Sequence, residues 1–130
     1  GAVPPGGVFR ADLGIDESIS VVRMLKSKFD ESTGLVAKKQ KTTWEYQIVV
    51  KNGKRRSVSV TVSDQLPISG NEQIVVKPIE PAYAKDTEAL RKTEFETFVW
   101  NLSLAPGKEV TLPLSFSVEY PKGAPIVGLE

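Results

Sequence analysis

The stretch that decides the fold is Phe98–Tyr120, FVWNLSLAPGKEVTLPLSFSVEY. Apolar and polar residues alternate on both sides of residues 105–108, which read Ala-Pro-Gly-Lys. A period of two is typical of a strand that buries one face. The pattern predicts two antiparallel strands that pair as a hairpin and bury one set of side chains: Phe98, Trp100, Leu102, Leu104, Val110, Leu112, Leu114, Phe116, Val118 and Tyr120.

Two further alternating segments lie upstream, at residues 44–50 and 57–64. Between them stands Asn52-Gly53, a turn signal because both residues tolerate a positive φ. We therefore predict a second hairpin, whose buried side chains would be Trp44, Tyr46, Ile48, Val50, Val58, Val60 and Val62.

The remaining strands are less regular. Residues 19–29 are β-branched at first, but the neighbours Val21 and Val22 break the alternation, which indicates a bulge or a strand covered on both faces. Residues 72–79 form another strand, which Pro78 places near an edge or an end. Pro113 likewise places the last strand at an edge or beside a bulge.

Residues 80–94 are the one stretch with helical character. Asp86 or Thr87 is a suitable cap, and Glu88 and Lys92 have the i,i+4 spacing. We predict a long loop with one helical turn, because so short a helix is marginal alone.

Six strands, with a seventh near Val8, predict an all-β, antiparallel two-sheet β-sandwich, with a small barrel as the alternative. Residues 1–11 would be a flexible lead-in or the remnant of a preceding strand, and 12–130 a single domain. The structural core would be the inward aromatic residues Trp44, Tyr46, Phe98, Trp100 and Phe116.

Composition excludes several kinds of chemistry. The 130 residues are 40% hydrophobic and 25% charged, with a net charge of +1, so no global field favours nucleic acid. The sequence has neither cysteine nor histidine, which removes thiolate chemistry, zinc–sulfur sites and the usual general base. No apolar run is long enough to span a bilayer.

Six basic residues form the candidate contact site, on two loops of the predicted sandwich. If the loops meet, they would bind an acidic polysaccharide, another polyanion or an acidic partner; otherwise they are solvated loop ends. The residues are Lys38, Lys39, Lys41, Lys54, Arg55 and Arg56.

Carboxylates are the remaining candidates for catalysis. Two of the three residues Asp12, Asp16 and Asp64 would have to face each other across a cleft to act as a hydrolase pair, and capping of turns is the favoured interpretation. Asp64 is expected to fix the exit from its strand. Asp12, Asp16 and Glu17 lack the loop pattern of a calcium-binding EF-hand. We predict no catalytic, cofactor-binding or metal-binding residues.

Several motifs in order resemble a known family. They are DLGID at 12–16, YQIVVKN at 46–52, DQLPIS at 64–69, WNLSLAPG at 100–107 and VEYPKG at 118–123. The set resembles the C-terminal DUF4139 domain of mucoidy inhibitor A-like proteins. This resemblance implies an immunoglobulin-like sandwich of about six to seven strands in a longer, bacterial protein, and it implies no catalytic residues.

The expected function is that of a non-catalytic interaction or structural module. It would pack on its own upstream domain or on another protein, and upstream strands missing from this chain would leave an open edge. Such an edge predicts a homodimer through strand pairing or an exchanged N-terminal arm. A polyanion-binding module is the alternative, and a carboxylate hydrolase the second. No residue fixes the compartment; we favour the periplasm or cell surface over the cytoplasm.

Overall fold

The computed structural model describes residues 9–12, 18–33 and 39–121, which form eight strands and no helix. The strands are β1 (Phe9–Asp12), β2 (Ile19–Thr33), β3 (Lys39–Asn52), β4 (Val58–Gln65), β5 (Val75–Glu80), β6 (Leu90–Thr93), β7 (Thr97–Leu104) and β8 (Glu109–Pro121). Sheet A has the order β1-β4-β7-β6 and sheet B the order β2-β3-β8-β5, and every pair is antiparallel. The predicted all-β, two-sheet architecture is confirmed, and the immunoglobulin-like topology stays a prediction.

One hydrophobic core lies between the two sheets. The rings of Trp44 and Phe116 stack with centroids 5.3 Å apart, and Phe98 and Trp100 lie 6.2 Å apart. All five aromatic residues assigned to the core, including Tyr46, are buried. Both sheets contribute to the cluster: Ile19, Trp44, Tyr46, Ile48, Val50, Val60, Val62, Leu66, Phe98, Trp100, Leu104, Leu112, Leu114, Phe116 and Val118.

Both predicted hairpins are wrong, because the strands in each pair belong to different sheets. β3 pairs with β2 and β8, whereas β4 pairs with β1 and β7. The opening stretch behaves in the same way: β7 lies in sheet A and β8 in sheet B. Alternation reports which face is buried and does not report which strand is the neighbour. Each short loop is therefore an arch that carries the chain from one sheet to the other.

The arch after β3 explains Asn52-Gly53 differently from the hairpin prediction. Neither residue has a positive φ; among the described residues only Phe95, Glu96 and Gly107 do. Gly53 donates its N–H to the carbonyl of Ser18 at 2.8 Å, and a Cβ at this position would lie 2.8 Å from the same oxygen. Glycine is needed here for close backbone approach.

The sheet order confirms the edge prediction for Pro78, whereas Pro113 lies on β8, an inner strand of sheet B. β5, which contains Pro78, is an edge strand of sheet B and has a register shift between Pro78 and Glu80. Pro113 faces Gln47 on β3 and lies beyond Ser115, the last β8 residue that pairs with β5. Pro113 thus lies on a stretch of β8 that pairs with β3 alone.

The strand at 19–29 is present and longer than predicted, and its bulge lies elsewhere. The register shifts between Leu25 and Ser27, so Lys26 is the extra residue. Val22 is exposed, so the strand is not covered on both faces at its start.

The predicted helical turn in 80–94 is absent from the structure. Asp86 and Thr87 do accept backbone N–H bonds, but from Lys92 and Leu90, which belong to β6. The same side chains that cap helices here hold the entry to a short edge strand beside β7.

Some predictions concern residues that the structure does not describe, or describes only in part. Those on Val8, Asp16, Glu17 and Lys38 fall outside the described residues. Within the predicted lead-in, residues 9–11 belong to β1, which pairs with β4.

Candidate functional site

The structure does not bring the predicted basic residues together. Lys39 and Lys41 lie at the start of β3, and Lys54, Arg55 and Arg56 follow its end. A strand rises about 3.3 Å per residue, so the two groups are about 35 Å apart. Lys41 also lies 3.7 Å from the carboxylate of Glu31. The described residues of the candidate contact site therefore lie in two separate groups, one at each end of β3.

Asp64, the carboxylate that sequence analysis singled out, is buried in the core and faces another sheet. Its Oδ2 accepts a 2.6 Å bond from Nε of Arg23, which comes from β2 in sheet B, and Nη2 lies 3.5 Å from Oδ1. The Arg23 guanidinium also lies 4.0 Å from the centre of the Tyr46 ring. Asp64 thus fixes one sheet to the other, which is a wider role than the predicted strand exit.

Burial controls the protonation of this cluster. It raises the pKa of Asp64 to about 6, against the lowering effect of the hydrogen bond and charge of Arg23. Burial also raises the pKa of the Tyr46 hydroxyl, although the Arg23 charge lowers it. The side chain of Asp64 is only 1% exposed, so the carboxylate is closed to bulk solvent.

The remaining acidic candidates do not assemble into a described site. The side chain of Asp12 is not among those described, and its backbone pairs with Thr61 in sheet A. Among the side chains that the structure describes, no group of three or more acidic residues is placed to hold a metal ion. Nor do the described residues include a helix that could cross a membrane.

A groove of about 480 Å³ opens between β5 and the loop that follows β4. Its floor includes the buried Leu66, and Ile68 and Val75 are exposed beside it. Glu72 and Glu96 supply carboxylates at the lining. The groove is therefore apolar with an acidic margin.

Phe95 stands in the β6–β7 turn next to Glu96, which lines this groove, and Phe95 is 70% exposed. Both Phe95 and Glu96 have a positive φ, of 59° and 54°. Their carbonyls are held by the preceding segment: Gln65 Nε2 donates to Phe95 O at 2.7 Å, and Leu66 N to Glu96 O at 2.9 Å. Neither residue type signals a left-handed turn, so sequence analysis missed this feature.

A smaller cavity of about 170 Å³ lies next to the turn, between β5 and β6. The Lys92 ammonium lies 5.9 Å and 5.8 Å from the ring centres of Tyr83 and Phe98 and 2.8 Å from the Glu96 carboxylate. Tyr83 donates its hydroxyl to Asp86 at 2.5 Å. These contacts position the segment around Phe95, because Lys92 ties the turn to the aromatic pair.

The fold and its sites define a two-sheet all-β domain with a cross-sheet ion pair and an apolar groove. The chain belongs to the family described as Domain of unknown function (DUF4139), which matches residues 2–122. The predicted DUF4139 family is thereby confirmed.

The chain is also similar to "Protein F37C4.5" of Caenorhabditis elegans, with 26% identity over 125 residues. The similarity covers 91% of this chain and 22% of that protein, so the chain spans about a fifth of its relative. No solved structure matches the chain.

Proposed function

We propose that this domain is a non-catalytic interaction module that docks onto another part of a longer polypeptide through the groove beside Phe95. The exposure of Phe95 in a left-handed turn is the observation that carries the proposal. The partner segment would be apolar, with a basic residue opposite Glu72. The 22% coverage of the nematode relative supports the presence of further domains in proteins of this family.

The conformation of Phe95 has a physical cost, and within the domain it is held by hydrogen bonds to the backbone and not by burial of the ring. A left-handed backbone costs a non-glycine residue on the order of 1 kcal/mol or more. The exposed ring buries little apolar area within the domain, so it gains little in return. Large aromatic side chains are frequent anchors of protein interfaces. A contact made outside the domain would bury the Phe95 ring and so supply the stabilisation that the ring lacks within the domain.

A non-catalytic role is supported by the residues that carry chemistry. The sequence contains no histidine or cysteine, and the buried Asp64 is engaged by Arg23. Asp64 does not line the groove beside Phe95. A hydrolase using Asp12, Asp16 and Asp64 has no further support, since Asp64 would have to leave its ion pair to meet a substrate.

Polyanion binding is less well supported than protein docking. The described basic residues divide into two groups at opposite ends of β3, so a long acidic polymer would meet one group at a time. Loss of heparin retention on changing Lys54, Arg55 and Arg56 to Ala would revive this alternative. The link to mucoidy inhibitor A and a bacterial origin also remain parts of the proposal, although the chain is similar to a nematode protein as well.

Amide hydrogen exchange tests the docking proposal. We expect residues 66–76 and 94–97 to exchange at least about tenfold more slowly in a longer family protein than in the 130-residue domain. Phe95→Gly should abolish this difference and stabilise the isolated domain by about 1 kcal/mol, because glycine accepts a positive φ. Phe29→Ala is the matched control, since Phe29 is also exposed, at 59% against 70%, but lies on β2. Equal exchange in the two proteins would refute the docking.

A further inference from the structure

The strand β2 presents a long open edge. It has 15 residues, and among the described strands it pairs only with β3. Nine large apolar side chains of the described residues are exposed, and four of them lie on this strand: Val22, Met24, Leu25 and Phe29. An unpaired edge with apolar side chains is a template for another strand. β2 lies across sheet B from the groove beside Phe95, so its edge is a separate surface.

The register with β3 assigns each β2 side chain to a face of sheet B. Residues paired with the buried positions of β3 point to the core side, and the bulge at Lys26 switches the alternation. The core side carries Arg23, Leu25, Lys28 and Asp30, and the outer side carries Val22, Met24, Phe29 and Glu31.

We propose that β2 pairs antiparallel with β2 of a second copy, about a two-fold axis between Lys26 and Ser27. In this register Met24 faces Phe29 of the second copy on the outer side. On the core side Asp30 of the second copy approaches Arg23, whose guanidinium stays bound to Asp64. The same register places Val22 opposite Glu31 and Leu25 opposite Lys28. By symmetry each contact occurs twice, which closes the interface as a dimer. Cross-strand apolar pairs and opposite charges both stabilise a sheet.

Neighbouring registers are poorer, which is the reason for choosing this one. A shift of one residue places core-side residues opposite outer-side residues. A shift of two residues in one direction places Arg23 opposite Lys28, a like-charge pair. The same shift in the other direction places Met24 opposite Glu31 and Leu25 opposite Asp30, and leaves no apolar pair. Of these registers, only the chosen one combines an apolar pair, Met24 with Phe29, with a pair of opposite charge, and this is why we assign a second copy to the edge.

The bulge does not oppose this arrangement, because it lies on the axis. Lys26, the extra residue, would face Ser27 of the second copy, and the residues on either side keep regular alternation. The two copies of sheet B would then form one continuous sheet across the interface. A single strand pair buries a small area, so we expect a dimer with a dissociation constant on the order of micromolar.

Cysteine cross-linking tests the register, because the sequence contains no cysteine of its own. We expect a mixture of Met24→Cys and Phe29→Cys chains to form a disulfide-linked dimer under mild oxidation. Either variant alone should not cross-link, since like positions would be about 13 Å apart or more along the strands. A mixture of Met24→Cys and Phe95→Cys is the control and should remain uncross-linked.

Sedimentation tests the interface independently of any introduced thiol. Phe29→Lys should raise the dimer dissociation constant at least about tenfold, whereas Phe95→Lys should leave it unchanged. Both side chains are exposed, so both variants should fold, and their thermal unfolding verifies this. A wild-type chain that is monomeric at about 500 μM would overturn the dimer. Cross-linking of the Met24→Cys variant alone would overturn this register. The docking of the groove would be unaffected by either result.

Discussion

Asp64 and Arg23 are two charged residues that the fold takes out of water. The carboxylate is 1% exposed and the guanidinium side chain 13% exposed, and they join a strand of sheet A to the edge strand of sheet B. Removal of charges from water is costly, and the attraction between them offsets that cost only in part. The raised pKa of Asp64 expresses the balance: its ionised form remains less favourable in the folded protein than in water.

The raised pKa predicts how stability changes with pH. With a pKa of about 6 in the folded state and an ordinary value of 3.8, Asp64 binds a proton more readily when the protein is folded. Its contribution to the free energy of unfolding is full below about pH 4 and disappears as the pH rises through 6. We expect it to add about 2 kcal/mol to the free energy of unfolding at pH 4.5 relative to pH 7.5. Urea unfolding at the two pH values measures this.

Asp64→Asn is the control for that measurement. The amide keeps the shape and a hydrogen-bond acceptor for Arg23, but it does not titrate in this range. Subtracting its pH dependence from that of the wild type removes the contributions of other carboxylates. Identical pH dependence in the two proteins would show that Asp64 is not the titrating group.

Among the elements, the two arches determine how the sheets are joined. Asn52 lies at the end of β3 with its side chain fully buried, and its amide nitrogen is 2.8 Å from Arg56 O, 3.0 Å from Leu104 O and 3.2 Å from Ala105 O. Its side-chain oxygen accepts the N–H of Lys54 at 2.9 Å. One side chain therefore holds the β3–β4 arch and the β7–β8 arch together.

Asn52→Ala should destabilise the domain by about 2–4 kcal/mol, because it leaves buried carbonyl groups without a donor. Chemical denaturation followed by tryptophan fluorescence measures the change. Asn101→Ala provides the comparison: this side chain is exposed and donates to Glu88 O at 3.2 Å, so the loss should be below about 1 kcal/mol. Equal losses of stability in the two variants would contradict the role of Asn52 in holding the two arches together.

At the scale of the whole molecule, stability depends on one core shared by both sheets. Trp100 belongs to β7 of sheet A, where it pairs with Val62 and Leu90, and it is 5% exposed. Phe116 and Trp44 approach from sheet B and stack on each other. Because neither sheet has a core of its own, loss of a large side chain from one sheet should unfold both.

Trp100→Ala should lower the free energy of unfolding by about 3–5 kcal/mol, through lost burial and the cavity that remains. Calorimetry should show a single transition at a lower temperature, since the sheets share the core. Phe29→Ala, at an exposed aromatic residue, should change stability by less than about 1 kcal/mol. Two separated transitions in Trp100→Ala would contradict a common core.

The sequence by itself determined which residues face the core. Alternation marked Trp44, Tyr46, Phe98, Trp100 and Phe116 for burial, since a strand displays its two faces at a period of two. The same local signal explains why the all-β class could be inferred, and the missing N–H of Pro78 explains why its strand could be placed at an edge. The basic residues near the ends of β3 could also be recognised, because a run of lysine and arginine is visible in the sequence alone.

Only the tertiary structure decided which strands are neighbours. The arches at Asn52 and Gly107 read as hairpins because strands that pair and strands that face each other both bury one side. The distinction depends on long-range hydrogen bonds, such as those from β4 to β7 and from β3 to β8, which have no local signature. The Arg23–Asp64 ion pair and the turn of Phe95 were hidden for the same reason: each depends on groups that are distant in sequence and adjacent only when the sheets have packed.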